Sequence, residues 1–86
     1  MAKLIHIAIG STLSKVGDVA ANLKQIRDFA TRAGEDGVDI LLTPEMSATG
    51  YGSDEDVLAT AEVPGKGPIY GELADMASKN NVVVTA

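Results

Sequence analysis

The sequence predicts an α/β chain, β-α-β-α-β in order, around a small parallel sheet. Short apolar runs rich in β-branched residues fall at 4–9, 38–43 and 82–85. Apolar residues at helical spacing fill the stretch between the first two runs and recur just before the third. Strand-like runs that alternate with helix-like ones are the pattern of a parallel sheet with right-handed crossovers.

The first run, Leu4-Ile5-His6-Ile7-Ala8-Ile9, is stopped by Gly10-Ser11 and reads as a strand covered on both faces. Residues 10–17 form a loop. Asp18 is suited to cap a helix, because its carboxylate can accept from the free amides of the first turn. Val19, Leu23, Ile26, Ala30 and Ala33 then recur at steps of 4, 3, 4 and 3, which makes one apolar face. Lys24, Arg27, Asp28 and Arg32 fall mostly on the other side. A helix is expected over 19–33, closed by Gly34 in the left-handed position.

Glu35-Asp36-Gly37 reads as a turn and Val38 to Thr43 as the second strand, with Asp39 at its start. Pro44 has no amide hydrogen to give a ladder and ends the strand. Residues 44–66 are a long loop, with a helical turn around Asp54–Thr60; a loop of this length in a compact domain is usually functional. Pro68 fits the first position of a helix whose stripe is Ile69, Leu73 and Met76, with Ala77 alongside. Asn80-Asn81 ends it, and Val82-Val83-Val84-Thr85 is the third strand. That strand runs to Ala86 with nothing after it to cover it, so these residues are expected to be the first part of something longer. We find no internal repeat, low-complexity tract or linker.

Composition removes several function classes. Twelve acidic residues against seven basic ones give a formal charge of -5, with no basic stripe to meet nucleic acid or an anionic membrane. The apolar runs are too short to span a bilayer, and His6 interrupts the first of them, so no signal-peptide core is read. A soluble cytoplasmic protein is the expectation. No cysteine means no disulfide, no thiolate metal site and no thiol nucleophile in the chain, and with a single histidine the composition argues against a zinc site. No cofactor motif is read. Gly65-Lys66-Gly67-Pro68 precedes a helix, but no Ser or Thr follows the Gly-Lys pair and Pro68 removes an amide that a phosphate would use. A turn that starts a helix accounts for it better.

The informative stretch is Leu41-Leu42-Thr43-Pro44-Glu45-Met46-Ser47-Ala48-Thr49-Gly50-Tyr51. It sets one carboxylate, Glu45, at the carboxyl end of a strand, where ligands collect in open α/β sheets. A general base has to be held rigidly beside the proton it removes, and a strand end followed by a fixed turn does so. Glu45 alone would be better explained as a surface residue capping a turn, since strand-end carboxylates are common; the motif around it reverses that and decides for the base. Gly50 permits a left-handed or closely packed backbone. Tyr51 either lines a pocket or covers the edge of the core with its hydroxyl in water. Asn22, one turn beyond Asp18, is expected to hydrogen-bond a nearby loop, since buried amides need partners. His6 has no second metal-binding residue near it in sequence and reads as a structural residue.

These pieces, in this order, resemble the carbon–nitrogen hydrolase (nitrilase and amidase) superfamily. The resemblance rests on the first strand, Gly17-Asp18 with Asn22, Gly37-Val38-Asp39, the strand into Pro44-Glu45, and Thr49-Gly50-Tyr51. Ala61-Glu62 with Pro64-Gly65 and the following helix and Val-rich strand continue it. The Pro-Glu block with Gly-Tyr is its most specific part. The resemblance implies the N-terminal part of a four-layer α-β-β-α sandwich and a homo-oligomer. It also implies an attacking cysteine, a glutamate base and a lysine that steadies charge on the intermediate. Glu45 takes the place of that base, and Met46 and Tyr51 that of substrate-pocket neighbours. None of Lys3, Lys15, Lys24, Lys66 or Lys79 sits in a matching motif, and the family's lysine and cysteine fall downstream of the third strand. Many members end the first strand with a glutamine, where this chain has Gly10-Ser11.

The expected substrate is therefore a small amide, carbamoyl compound or nitrile, and the 86 residues alone are expected to be inactive. Within the same chemistry, the chain could begin a glutamine amidohydrolase half of a synthetase, which would continue into an ATP-binding domain. Two rivals are a non-catalytic α/β fragment or interaction module and a small flavodoxin-like nucleotide-binding domain. The last lacks a phosphate loop after its first strand.

Overall fold

A computed structural model describes residues 3–86 of the chain. Its elements are β1 (Ile7–Ile9), α1 (Val19–Glu35), β2 (Ile40–Leu42), α2 (Asp54–Thr60), α3 (Pro68–Asn80) and β3 (Val83–Thr85). The strands form one parallel sheet in the order β1-β2-β3, with Ile7 opposite Ile40 and Ile40 opposite Val83. The β-α-β-α-β expectation is met, and the turn expected at 54–60 is a helix of seven residues.

Both long helices lie on one side of the sheet. Leu23, Ile26, Ala30 and Ala33 of α1 and Met76 of α3 close over Leu41, with Ala8 and Val84 packed beside them. Ile26 and Leu41 are almost fully buried, and burying a side chain of that size contributes about 1.5–3 kcal/mol. The first strand is not covered on both faces as its sequence suggested. Ile7 and Ile9 are 57% and 80% exposed, and Leu42 and Val83 share their open side. Side chains alternate across a strand, so covering Ala8, Leu41 and Val84 leaves the flanking rows bare. The strands are also shorter than the apolar runs, since Leu4 and Ile5 stay outside the ladder.

Helix ends explain the other differences. Asp18 caps α1 by accepting from the Ala21 amide at 3.2 Å, as expected. The far end runs on past Gly34 to Glu35, and the left-handed residue is Gly37 at φ 70°. There the Gly37 amide donates to the Gly34 carbonyl and the Val38 amide to the Ala33 carbonyl at 2.9 Å, a Schellman closure. Gly34 answers to a different demand: a Cβ there would lie 2.9 Å from the Asn80 carbonyl oxygen, where α3 ends against α1. Asn81 at φ 51° closes α3 in the same way. The start of α3 is capped from a distance. Both Glu62 carboxylate oxygens accept amides, from Ile69 at 2.8 Å and Tyr70 at 3.0 Å. A carboxylate thus already occupies the N-terminus of the helix that follows the Gly65-Lys66-Gly67 loop. In α2 the Asp56 carboxyl is held below its ordinary value of 3.8 by hydrogen bonds from the Ser53 hydroxyl and then the Ser53 amide.

Candidate active site

The central strand delivers the candidate site. At its carboxyl end the Thr43 amide and hydroxyl both donate to the Thr85 carbonyl, at 3.1 and 2.6 Å. Leu42 accepts from the Gly10 amide at 2.8 Å on the other side. The ends of β1 and β3 thus fix the last residues of β2 before the chain turns. Pro44 leaves the ladder, and residues 45–49 form a tight turn. The Ser47 amide closes onto the Pro44 carbonyl at 3.1 Å and the Gly50 amide onto Met46 at 2.8 Å.

Glu45 stands at the head of this turn with its side chain exposed. Among the described residues its carboxylate enters none of the ion pairs, which join Lys24–Asp28, Arg27–Glu72, Arg32–Asp36 and Lys79–Asp75. It is therefore available to take a proton. Met46, half-buried, has φ 57°, in the left-handed region that non-glycine residues seldom occupy. Tyr51 is 74% exposed, so it neither lines a pocket nor covers the core within this chain. The turn brings Met46 to Gly50, next to Tyr51, and so sets the three expected site residues along one short stretch. The groove between α1 and α3, lined by Val19, Leu23, Arg27, Ile69 and Glu72, includes none of them. It is an open helix–helix seam.

Beneath the turn lies a polar network that the sequence showed only in part. Asn22 is completely buried and fully partnered. Its Oδ1 accepts from the Lys15 amide at 2.7 Å, and its Nδ2 donates to the carbonyls of Lys15 at 2.7 Å and Ala48 at 3.1 Å. The loop partner expected for Asn22 is thus present, and a second one on the Glu45 turn joins it. Ser47, 1% exposed, shares a hydroxyl–hydroxyl bond of 2.7 Å with Thr43 and accepts at its carbonyl from the Ser14 hydroxyl at 2.5 Å. Ser14 and Ser47 fall in stretches that read in sequence as loops, and Thr43 at the end of the second strand; nothing local ties the three together. The small pair Ser47-Ala48, wedged between Met46 and Gly50, was the available sign of close packing. Gly50, at φ 84°, lies against the Val16 backbone: a Cβ there would be 2.5 Å from Val16 Cα.

The arrangement is one free carboxylate on a rigid turn at the end of the central strand. It can accept a proton. The 86 residues include no cysteine and so offer no thiol nucleophile. His6 is exposed, and its amide donates to the Asp39 carboxylate at 2.9 Å. Among the described residues no helix is long and apolar enough to cross a membrane.

Comparison with curated proteins finds no match. The family model described as carbon-nitrogen hydrolase matches residues 5–86, which takes in every strand and helix of the fold. The parallel sheet with helices on one face is compatible with the helix-and-sheet half of that family's sandwich. Sheet, strand-end turn and family model agree over nearly the whole chain, which therefore belongs to the carbon-nitrogen hydrolase family.

Proposed function

We propose that this chain supplies the general base, Glu45, of a hydrolase that cleaves non-peptide carbon–nitrogen bonds in small amides, carbamoyl compounds or nitriles. The attacking thiol and the charge-stabilising lysine come from polypeptide outside these 86 residues; with them the chain makes up the full enzyme. For an amide, Glu45 takes the thiol proton as sulfur bonds to the carbonyl carbon. The proton then goes to the departing nitrogen, the carbon–nitrogen bond breaks and ammonia or an amine leaves, with a thioester left behind. Water, deprotonated by Glu45, attacks the thioester; the carbon–sulfur bond breaks, the acid is released and the thiol regains its proton. Met46 and Tyr51 border the substrate. The enzyme acts without a cofactor, in the cytoplasm and as a homo-oligomer, readings that rest on the resemblance and the sequence.

The observation that carries the proposal is the place of Glu45: on a turn fixed by hydrogen bonds at the carboxyl end of the central strand, in a chain of this family. The test is ammonia release by the full enzyme from a panel of simple amides, before and after alkylation with iodoacetamide. Alkylation is expected to remove the activity completely. Ammonia release that survives full alkylation would show that no thiol attacks, and the proposed mechanism would fall.

A further inference from the structure

The backbone beside Glu45 is strained, and the strain has identifiable restraints. Met46 is neither glycine nor asparagine, yet it holds φ 57°. Such a conformation costs on the order of 1–3 kcal/mol and persists only where the surroundings over-determine it. Here the next three carbonyls in the chain are each held by a donor from across the site. Ser47 accepts from the Ser14 hydroxyl at 2.5 Å, Ala48 from Asn22 Nδ2 at 3.1 Å, and Thr49 from the Gly17 amide at 2.9 Å. All three donors belong to the β1–α1 loop or the first turn of α1. Asn22 is itself anchored on both the amide and the carbonyl of Lys15, so its amide group has no freedom to follow a moving turn.

We infer that Ser14 and Asn22 are positioning residues for Glu45: by holding the carbonyls of Ser47 and Ala48 they keep the left-handed turn at Met46 and fix where the carboxylate stands. The inference rests on the reading of Glu45 as the base and deepens it. Neither residue touches substrate in this role. Each acts through the backbone of the turn, and misplacing a catalytic group by about 1 Å is enough to lose about a hundredfold in rate.

The test uses the full enzyme, propionamide as probe and ammonia release as readout. It compares Ser14→Ala, Asn22→Ala, Ser14→Thr and a control, Leu23→Ala, which opens the α1 core without touching the network. The expected fall in kcat is about tenfold for Ser14→Ala and about a hundredfold for Asn22→Ala, with KM unchanged within about twofold. Ser14→Thr keeps the hydroxyl and restores kcat. Leu23→Ala loses more stability than Ser14→Ala but keeps kcat within about twofold. Crystal structures of the variants supply a readout that needs no substrate: in Asn22→Ala, Met46 leaves the left-handed region and Glu45 shifts. If Asn22→Ala does not fold, Ser14→Ala and its threonine rescue decide the matter.

If the Ser14 and Asn22 variants keep Met46 and Glu45 in place, or lose no more kcat than Leu23→Ala, the two residues are merely structural and the inference is overturned. Glu45→Gln in the same assay separates the two levels. Normal turnover in that variant ends the reading of Glu45 as base. Lost turnover there, beside silent Ser14 and Asn22 variants, ends only the positioning role.

Discussion

Glu45→Gln is expected to reduce ammonia release by the full enzyme by about 10²–10⁴-fold, the usual worth of a general base, and to leave the fold unchanged. Glutamine keeps the shape of the side chain and removes only its capacity to take a proton. Glu45 is exposed and enters no ion pair among the described residues, so stability should change by no more than about 0.5 kcal/mol. Thermal unfolding beside the kinetic assay checks both halves. A variant with wild-type turnover would remove Glu45 from the mechanism. One that lost activity together with its fold would show that the carboxylate serves the structure instead.

The second large effect is expected at Gly50. A methyl group there would stand 2.5 Å from Val16 Cα, 2.7 Å from Val16 N and 2.9 Å from the Lys15 carbonyl carbon. All three are backbone atoms, which cannot swing aside as the tip of a side chain can. The residue also sits at φ 84°, where a Cβ adds roughly 1–2 kcal/mol of strain. Together these predict that Gly50→Ala destabilises the fold by about 3 kcal/mol or more. The damage should concentrate where the β1–α1 loop meets the Glu45 turn, so turnover should fall as well. Gly65→Ala is the matched control. Gly65 has a similar φ of 77° but open space around it, so its cost should be the conformational part alone. Urea midpoints of the two variants measure the difference. Equal midpoints would mean that the two loops part without consequence.

Much of this fold could be read from the sequence because it is local. The N-cap at Asp18, the apolar steps of α1, the stop at Pro44 and the proline start of α3 each depend on a few neighbouring residues. What was misread depends on residues far away in the chain. Gly34 looked like a helix terminator, but it is a glycine because Asn80 presses on it from α3. The true terminator, Gly37, lies three residues further on. β1 looked buried because its run is apolar but for His6, yet an apolar run does not say how many faces are covered. Only the stacking of both long helices over Ala8, Leu41 and Val84 settles that. The same division holds at the site. The Pro44-Glu45 strand end and the buried role of Asn22 were legible. The left-handed Met46 and the three carbonyls clamped from the opposite loop were not, because pairs such as Ser14 with Ser47 are 33 residues apart and carry no periodic signal.

The most direct test of the central claim is the distance between the Glu45 carboxylate and the nearest thiol in a crystal structure of the full enzyme. The account predicts a cysteine sulfur within hydrogen-bond reach of a carboxylate oxygen, directly or through one water, with a lysine ammonium beside it. A structure in which every thiol lies further from Glu45 than one bridging water can span would contradict it.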